Sequence, residues 1–439
     1  MRARASRVPR GAVIAVAMGV MNVATYGFTI LAARLLGPGD YGAFAALMGL
    51  LIVISVASLA LQATAARRIA ATPDHVHQIE GVILRVGVQA ALGVGALCLV
   101  LSPVINRVVR LDSLGTAVLV AFVAAPLTLM GAQAGILQGE RRWGPLAMIY
   151  LGVGVPRLVV GTAFILWQPT EFAALLGVAV SAYVPVLVGW FALRHPREPG
   201  ERSEEHSVRA LWQETFHNSN TLFAFFALSN VDILVARNVL DEHQAGLYAG
   251  GLILVKAMLF LPQFVVVLAF PSMSDGSAAR TTLFRSLGVV IVLGGLVSGG
   301  AAVLSALAVV FVGGSEYSSI QHQLWVFAVL GTALSLLQLL IYSVLARQAR
   351  RAVLLVWAAL LGVVAVGQLA DSVESLMLLV LGVDTVLLVA LLVVALRHSR
   401  QGEAVDGPVD GSVDRSVGSG VPAAPGADRD VERNGQLGR

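Results

Sequence analysis

The 439-residue chain is short of charge: Asp, Glu, Lys and Arg supply 13% of it, against 57% hydrophobic residues. Soluble domains carry about 25% charged residues, so this surface is not made to face water. The mean hydropathy of +0.81 agrees. Lysine is almost missing, Lys256 being the only one, and arginine therefore carries the net charge of +4. Bulk positive charge suits nucleic acid, but these arginines stand in short breaks between apolar runs, where they set membrane topology; no nucleic-acid partner is expected. Cysteine is missing apart from Cys98, inside an apolar run, which excludes an internal disulfide framework. There is no P-loop, so ATP does not drive the chain directly, and Gly152-Val-Gly154 follows no strand. His75-x-His77 has no acidic or thiol cluster alongside it. No metal and no cofactor are expected. The outer connections, such as Gln168 to Glu171, are too short for a catalytic constellation, so an enzyme is not expected either.

What is abundant is apolar sequence in lengths of roughly 20 residues, the length of a membrane span. Spans are expected near 11–36, 43–66, 82–106, 116–138, 146–167 and 172–193, then near 216–237, 247–271, 286–312, 321–346, 352–370 and 375–396. With the N-terminus inside, the inner connections hold Arg67 and Arg68, Arg141 and Arg142, Arg194 to Arg209, Arg280 and Arg285, and Arg347 to Arg351. One helix more or fewer would scramble that asymmetry. The expected fold is an all-α integral membrane protein of about twelve transmembrane helices in the cytoplasmic membrane, both termini cytoplasmic.

An internal repeat divides the chain. Leu31-Ala-Ala-Arg34 matches Leu234-Val-Ala-Arg237, and Gly42-Ala-Phe44 matches Gly246-Leu-Tyr248; the offsets are 237−34 = 203 and 246−42 = 204. Repeats read before secondary structure prevent a misassigned fold. Here they give an N-terminal lobe of six helices (1–195), a cytoplasmic linker with an interfacial lead-in (196–215), a C-terminal lobe of six helices (216–400) and a disordered cytoplasmic tail (401–439). Both halves enter from the same side, so the lobes are expected to be related by a pseudo-two-fold axis along the membrane normal, with a cleft between them. Gly295-x-x-x-Gly299 reads as a close-packing surface.

A charge within a span points to function because burying it in lipid is costly. Arg157, mid-helix after Pro156, is a candidate anion contact; Lys256 and Arg85 join it as substrate-binding candidates, with snorkelling to the surface the competing reading for Arg85. Asp232 and Asp384 are candidates for a coupling proton or for ion pairs, Asp232 with Arg237 or Lys256. Arg34 and Arg237, at the ends of the repeated segments, are placed either to gate the outer end or to anchor at the interface. Gly37, Pro38, Tyr41 and Gly42, with Gly246 and Tyr248, form the signature turns.

The stretches ARLLGPGDYGAF at 33–44 and VDILVARNVLDEHQAGLYAGGLILVKAMLFLP at 231–262 resemble the two signature stretches of polysaccharide exporters, the oligosaccharide flippases of the multidrug/oligosaccharidyl-lipid/polysaccharide exporter superfamily. The resemblance implies a V-shaped pair of lobes that moves lipid-linked oligosaccharide on an undecaprenyl-diphosphate carrier to the outer leaflet by alternating access. The partners expected with it are membrane lipids and a polysaccharide polymerase or glycosyltransferases. A diphosphate crossing the bilayer needs cations in a polar cavity, and arginine recognises it best. A multidrug or small-solute antiporter of the same fold and a non-transporting envelope-assembly scaffold are the alternatives. The first six helices show no carboxylate that reads as buried, which counts against a cationic drug.

Overall fold

Apolar chain in lipid can satisfy its backbone only within a helix or a closed barrel. The computed structural model describes residues 10–194, 207–260, 279–345 and 350–405, and among these every regular element is helical. In order they are α1 (Arg10–Ala71), α2 (Val76–Val100), α3 (Ser102–Val109), α4 (Leu114–Gly139), α5 (Trp143–Trp167), α6 (Glu171–Ala192), α7 (Val208–Val239), α8 (Glu242–Met258), α9 (Ala279–Val303), α10 (Ser305–Val312), α11 (Leu324–Leu345), α12 (Arg350–Gly367) and α13 (Val373–Val405). Nine helices among the described residues are long and apolar enough to cross a membrane, α1 counting once. The expected linker from 196 to 206, Pro262, Arg347 and the tail beyond Val405 lie outside the described residues. The described residues as far as Arg397 belong to one compact unit.

The two spans expected near 11–36 and 43–66 follow one another within the 62 residues of α1, two helical segments joined at a kink. Straight, α1 would run to about 90 Å, some three times the hydrocarbon thickness. It does not run straight. Gly37 has φ 71 and ψ 172, inside the helix and followed by Pro38; an L side chain rarely takes that left-handed φ, and proline cannot continue the preceding hydrogen bonds. Phe28 and Phe44, 44−28 = 16 residues apart, meet edge to face with ring centroids 5.8 Å apart. A straight helix would hold them about 24 Å apart. α1 is therefore a hairpin, its arms 10–36 and 38–71 folded back on each other.

Other boundaries moved for local reasons. The spans expected over 82–106 and 286–312 are each broken, at Leu101 and Leu304, into a long helix and an eight-residue one. The interfacial lead-in expected at the end of the linker does not lie apart from the helix that follows; α7 begins at Val208 and runs unbroken for 32 residues. The last part of the expected linker, 208–215, is thus helix, and so are the first residues of the expected tail, 401–405. Leu211, on that extension, is buried in a cluster with Leu61, Ile69 and Ile83 of α1 and α2. Beside it Glu214 accepts from Arg67, and from Arg68 Nε at 2.7 Å. Burial pushes the Glu214 carboxyl up, and the two arginines outweigh it, leaving it below the usual glutamate range.

Close helix packing lies where glycines recur every four residues, at Gly131, Gly135 and Gly139 of α4, each set against the second arm of α1 at Ser58, Gln62 and Ile69. Gly295 and Gly299, expected to make such a surface, have no neighbour within reach of an added Cβ. The main core cluster runs through both halves, from Phe28 and Phe44 to Phe225, Tyr248, Tyr317 and Phe327.

Candidate functional site

In the first half the site is built on α5. Arg157 is the fifteenth of its 25 residues, at mid-helix. Met148, Val155, Val159 and Leu166 are exposed along one stripe of α5. At about 100° per residue Arg157 lies about 160 to 180° from all four, so it points away from the apolar outer stripe. It shares its face with Gly154 and Gly161, which press on Met21 and Phe28 of α1, and with Tyr150, whose hydroxyl accepts from Gln62 Nε2 at 3.1 Å. The same Gln62 Nε2 donates to Gln138 Oε1 at 2.9 Å. Arg157 Nε is buried without a hydrogen-bond partner among the described residues, while the residue as a whole is partly exposed. An inward guanidinium held back from full pairing is suited to an anion brought from outside the protein.

In the second half the titratable groups come together. Lys256 on α8 donates to the Ser229 carbonyl, and to Asn230 Oδ1 at 2.9 Å. Asp232, 2% exposed, accepts from the Tyr248 hydroxyl at 3.2 Å, so Tyr248 serves this cluster as well as its turn. Asp384 lies 1% exposed within the buried stripe Val373, Leu376, Met377, Val380, Leu387 and Leu391 of α13. Neither of its carboxylate oxygens has a hydrogen-bond partner among the described residues. Asp232, Lys256 and Asp384 lie within electrostatic reach of one another. An ionised carboxylate so placed costs several kcal/mol unless a proton or a cation accompanies it.

At the end of the molecule that carries the signature turns, the halves touch. Gly42 meets Gly246 backbone to backbone, an added Cβ on Gly42 falling 3.0 Å from Gly246 Cα, and a Cβ on Gly246 would overlap the Pro38 carbonyl. Tyr41 is 2% exposed and stacks edge-on to Tyr317 at 6.4 Å. Arg34 donates to the Val310 carbonyl. Arg237 does not pair with Asp232: its Nε donates to Val109 O at 2.8 Å and its Nη2 to Arg110 O at 2.7 Å.

Arg85 is not brought to this site. It is exposed, on the same stripe of α2 as Val88 and Leu92, both exposed apolar residues, which is the pattern of a side chain snorkelling from the acyl region. Residues that sequence reasoning passed over are Arg110, Asn238, Glu171 and Glu214. Their partners are mostly main-chain carbonyls or residues more than a hundred positions away, and neither leaves a mark in the local pattern. Glu171 and Glu80 are also 4% and 7% exposed, so the first six helices do bury carboxylates, at helix ends rather than in mid-span.

The family model described as polysaccharide biosynthesis protein matches residues 10–277. No curated protein sequence matches the chain. Among solved structures it is similar to a multidrug resistance MATE family transporter of the MOP superfamily in its inward-facing conformation (TM-score 0.67, 13% identity, 90% of this chain and 99% of that one). It is also similar to the lipid II flippase MurJ, inward closed (TM-score 0.65, 11% identity, 88% and 87%), and to a MOP superfamily transporter from Pyrococcus furiosus (TM-score 0.60, 12% identity, 87% and 93%). The shared feature is the multi-span helical fold of membrane transporters.

Proposed function

The chain belongs to the polysaccharide biosynthesis protein family, and from that premise we propose that it is a flippase. It moves oligosaccharide linked to undecaprenyl diphosphate across the cytoplasmic membrane by alternating access, for cell-surface polysaccharide. The observation that carries this reading is Arg157, at mid-helix, turned from the apolar outer stripe, with a buried unpartnered Nε. The diphosphate is the anion it awaits, Lys256 is the second cation, and the acyl chain stays in the bilayer. The protein performs no covalent chemistry.

Two six-helix lobes on a pseudo-two-fold axis, twelve spans in all, suit this cycle. The breaks at Leu101 and Leu304 stand 304−101 = 203 apart, the offset of the signature arginines. With the arginine-rich connections inside, the signature end faces outward and both termini lie in the cytoplasm. A polysaccharide polymerase and glycosyltransferases are the partners that would consume and supply the substrate.

The direct test is reconstitution. Proteoliposomes carrying undecaprenyl-diphosphate oligosaccharide in one leaflet should equilibrate it between leaflets at least tenfold faster with protein than without. Uptake of a cationic dye with no glycan movement would instead support the antiporter, the reading that the buried Asp232 and Asp384 would then serve. Asp384 as the coupling group makes its own prediction. Asp384→Leu removes an unpartnered carboxyl from an apolar stripe, so thermal stability in detergent should hold or rise by about 1 kcal/mol while glycan export falls. A drop in stability together with export would assign Asp384 a structural part and remove it from the coupling step.

A further inference from the structure

The two short helices α3 and α10 begin at Ser102 and Ser305, and 305−102 = 203. Each is met by the signature arginine of the opposite half. Arg237, at the end of α7, caps the C-terminus of α3 through the Val109 and Arg110 carbonyls. Arg34, at the end of the first arm of α1, caps α10 through the Val310 carbonyl. Cations are favoured at helix C-termini, where carbonyls lack partners. Further bonds tie each crossing. Asn238 Nδ2 donates to Val108 O at 2.8 Å, and Arg110 donates back to the Asn238 and Leu240 carbonyls. Tyr317 donates to the Ala33 carbonyl at 3.2 Å. Arg110, the C-cap of α3, takes a left-handed conformation, φ 55. A non-glycine residue is strained there, and its two bonds to α7 hold it.

We infer that the signature end is shut by a reciprocal lock, in which each half contributes one arginine and receives the other on a short helix, so that both crossings open together. The inference rests on the alternating-access reading, since a lock has a purpose only if this end opens. The crossings are unequal. Arg237 is 3% exposed and spans two carbonyls, with Glu171, Glu242 and Asp112 around its charge; Arg34 is exposed and spans one. Arg237 is the stronger arm, because charge-assisted bonds gain when water is excluded.

The test uses purified protein in lipid nanodiscs, with Cys98→Ser as background and one reporter cysteine, Val109→Cys on α3 or Val312→Cys on α10. Both valines are 1% exposed. The readout is the rate of maleimide labelling. Arg237→Ala should raise it about tenfold at both reporters and Arg34→Ala about threefold at both. The decisive results are the crossed ones: α10 opening on loss of Arg237, and α3 opening on loss of Arg34. Labelling raised only at the arm that was altered, or at neither, overturns the lock. Should an alanine variant not fold, Arg237→Lys keeps the charge and one of two bonds, and the same crossed pattern at smaller size is required.

The converse variant joins Gly39→Cys to Glu242→Cys; a Cβ on Gly39 would lie 3.6 Å from Glu242 Cγ. As a disulfide it should silence both reporters, and continued labelling would overturn the lock. In cells the same disulfide should halt glycan export until reductant is added. Crossed labelling with export indifferent to the disulfide would keep the lock and remove the export reading instead.

Discussion

Reversing Arg157 to glutamate is expected to abolish glycan export while the protein remains at its normal level in the membrane. The side chain stands mid-helix with its Nε unpaired, so little of the fold depends on it, and the expected loss is functional. A charge-assisted bond to a diphosphate oxygen contributes about 1.5 to 3 kcal/mol, or ten- to a hundredfold in rate. Reversal replaces it with repulsion, so at least a hundredfold loss is expected. Arg157→Lys keeps the charge without the planar fork and should fall between wild type and Arg157→Gln. Lys256→Glu should match the reversal in export and differ in stability, since Lys256 holds the Ser229 carbonyl and Asn230. Surface polysaccharide and membrane protein level, measured together, decide the matter. Normal export in the Arg157→Glu strain would remove that residue from the substrate path.

Gly246→Ala should be the most damaging single methyl among the described glycines. Its Cβ would overlap the Pro38 carbonyl and approach Pro38 Cα at 2.8 Å. These are main-chain atoms fixed by the hairpin turn, so the strain cannot be relieved by rotating a side chain. Overpacking of this kind costs about 1 to 3 kcal/mol and sometimes more. The neighbouring glycines set an internal scale. Gly42→Ala, at 3.0 Å from Gly246 Cα, should cost less; Gly39→Ala, facing the movable Glu242 side chain at 3.6 Å, should cost almost nothing. The order of melting temperatures in detergent tests this. A Gly246→Ala protein as stable as Gly39→Ala would mean that the two signature turns do not touch.

The repeated arginines and turns were legible because each copy repeats residue type at one spacing, and the architecture repeats it again at Ser102 and Ser305. The mid-helix position of Arg157 was legible from hydropathy, and its direction followed only once the exposed stripe on α5 was known. Helix ends were read less well. Ser102-Pro103 marks the start of α3, yet the matching break before Ser305 has no proline, and nothing local distinguishes it from an unbroken span. The Gly-Pro-Gly corner was legible as a turn, and Gly37 takes the non-helical backbone that separates the two arms. Both readings of Arg85 stayed open in the sequence because depth along a helix says nothing about which way a side chain faces. The contacts of Arg34 and Arg237 could not be read at all: their acceptors are carbonyls, and every residue has one.

The α1 hairpin also bears on the order of assembly. Its two arms meet through Phe28 and Phe44, residues close in sequence, so this pairing needs nothing made later by the ribosome. Loops this short close quickly and at small entropic cost. Gly246 must then fit a Pro38 carbonyl that belongs to a segment made 246−38 = 208 residues earlier.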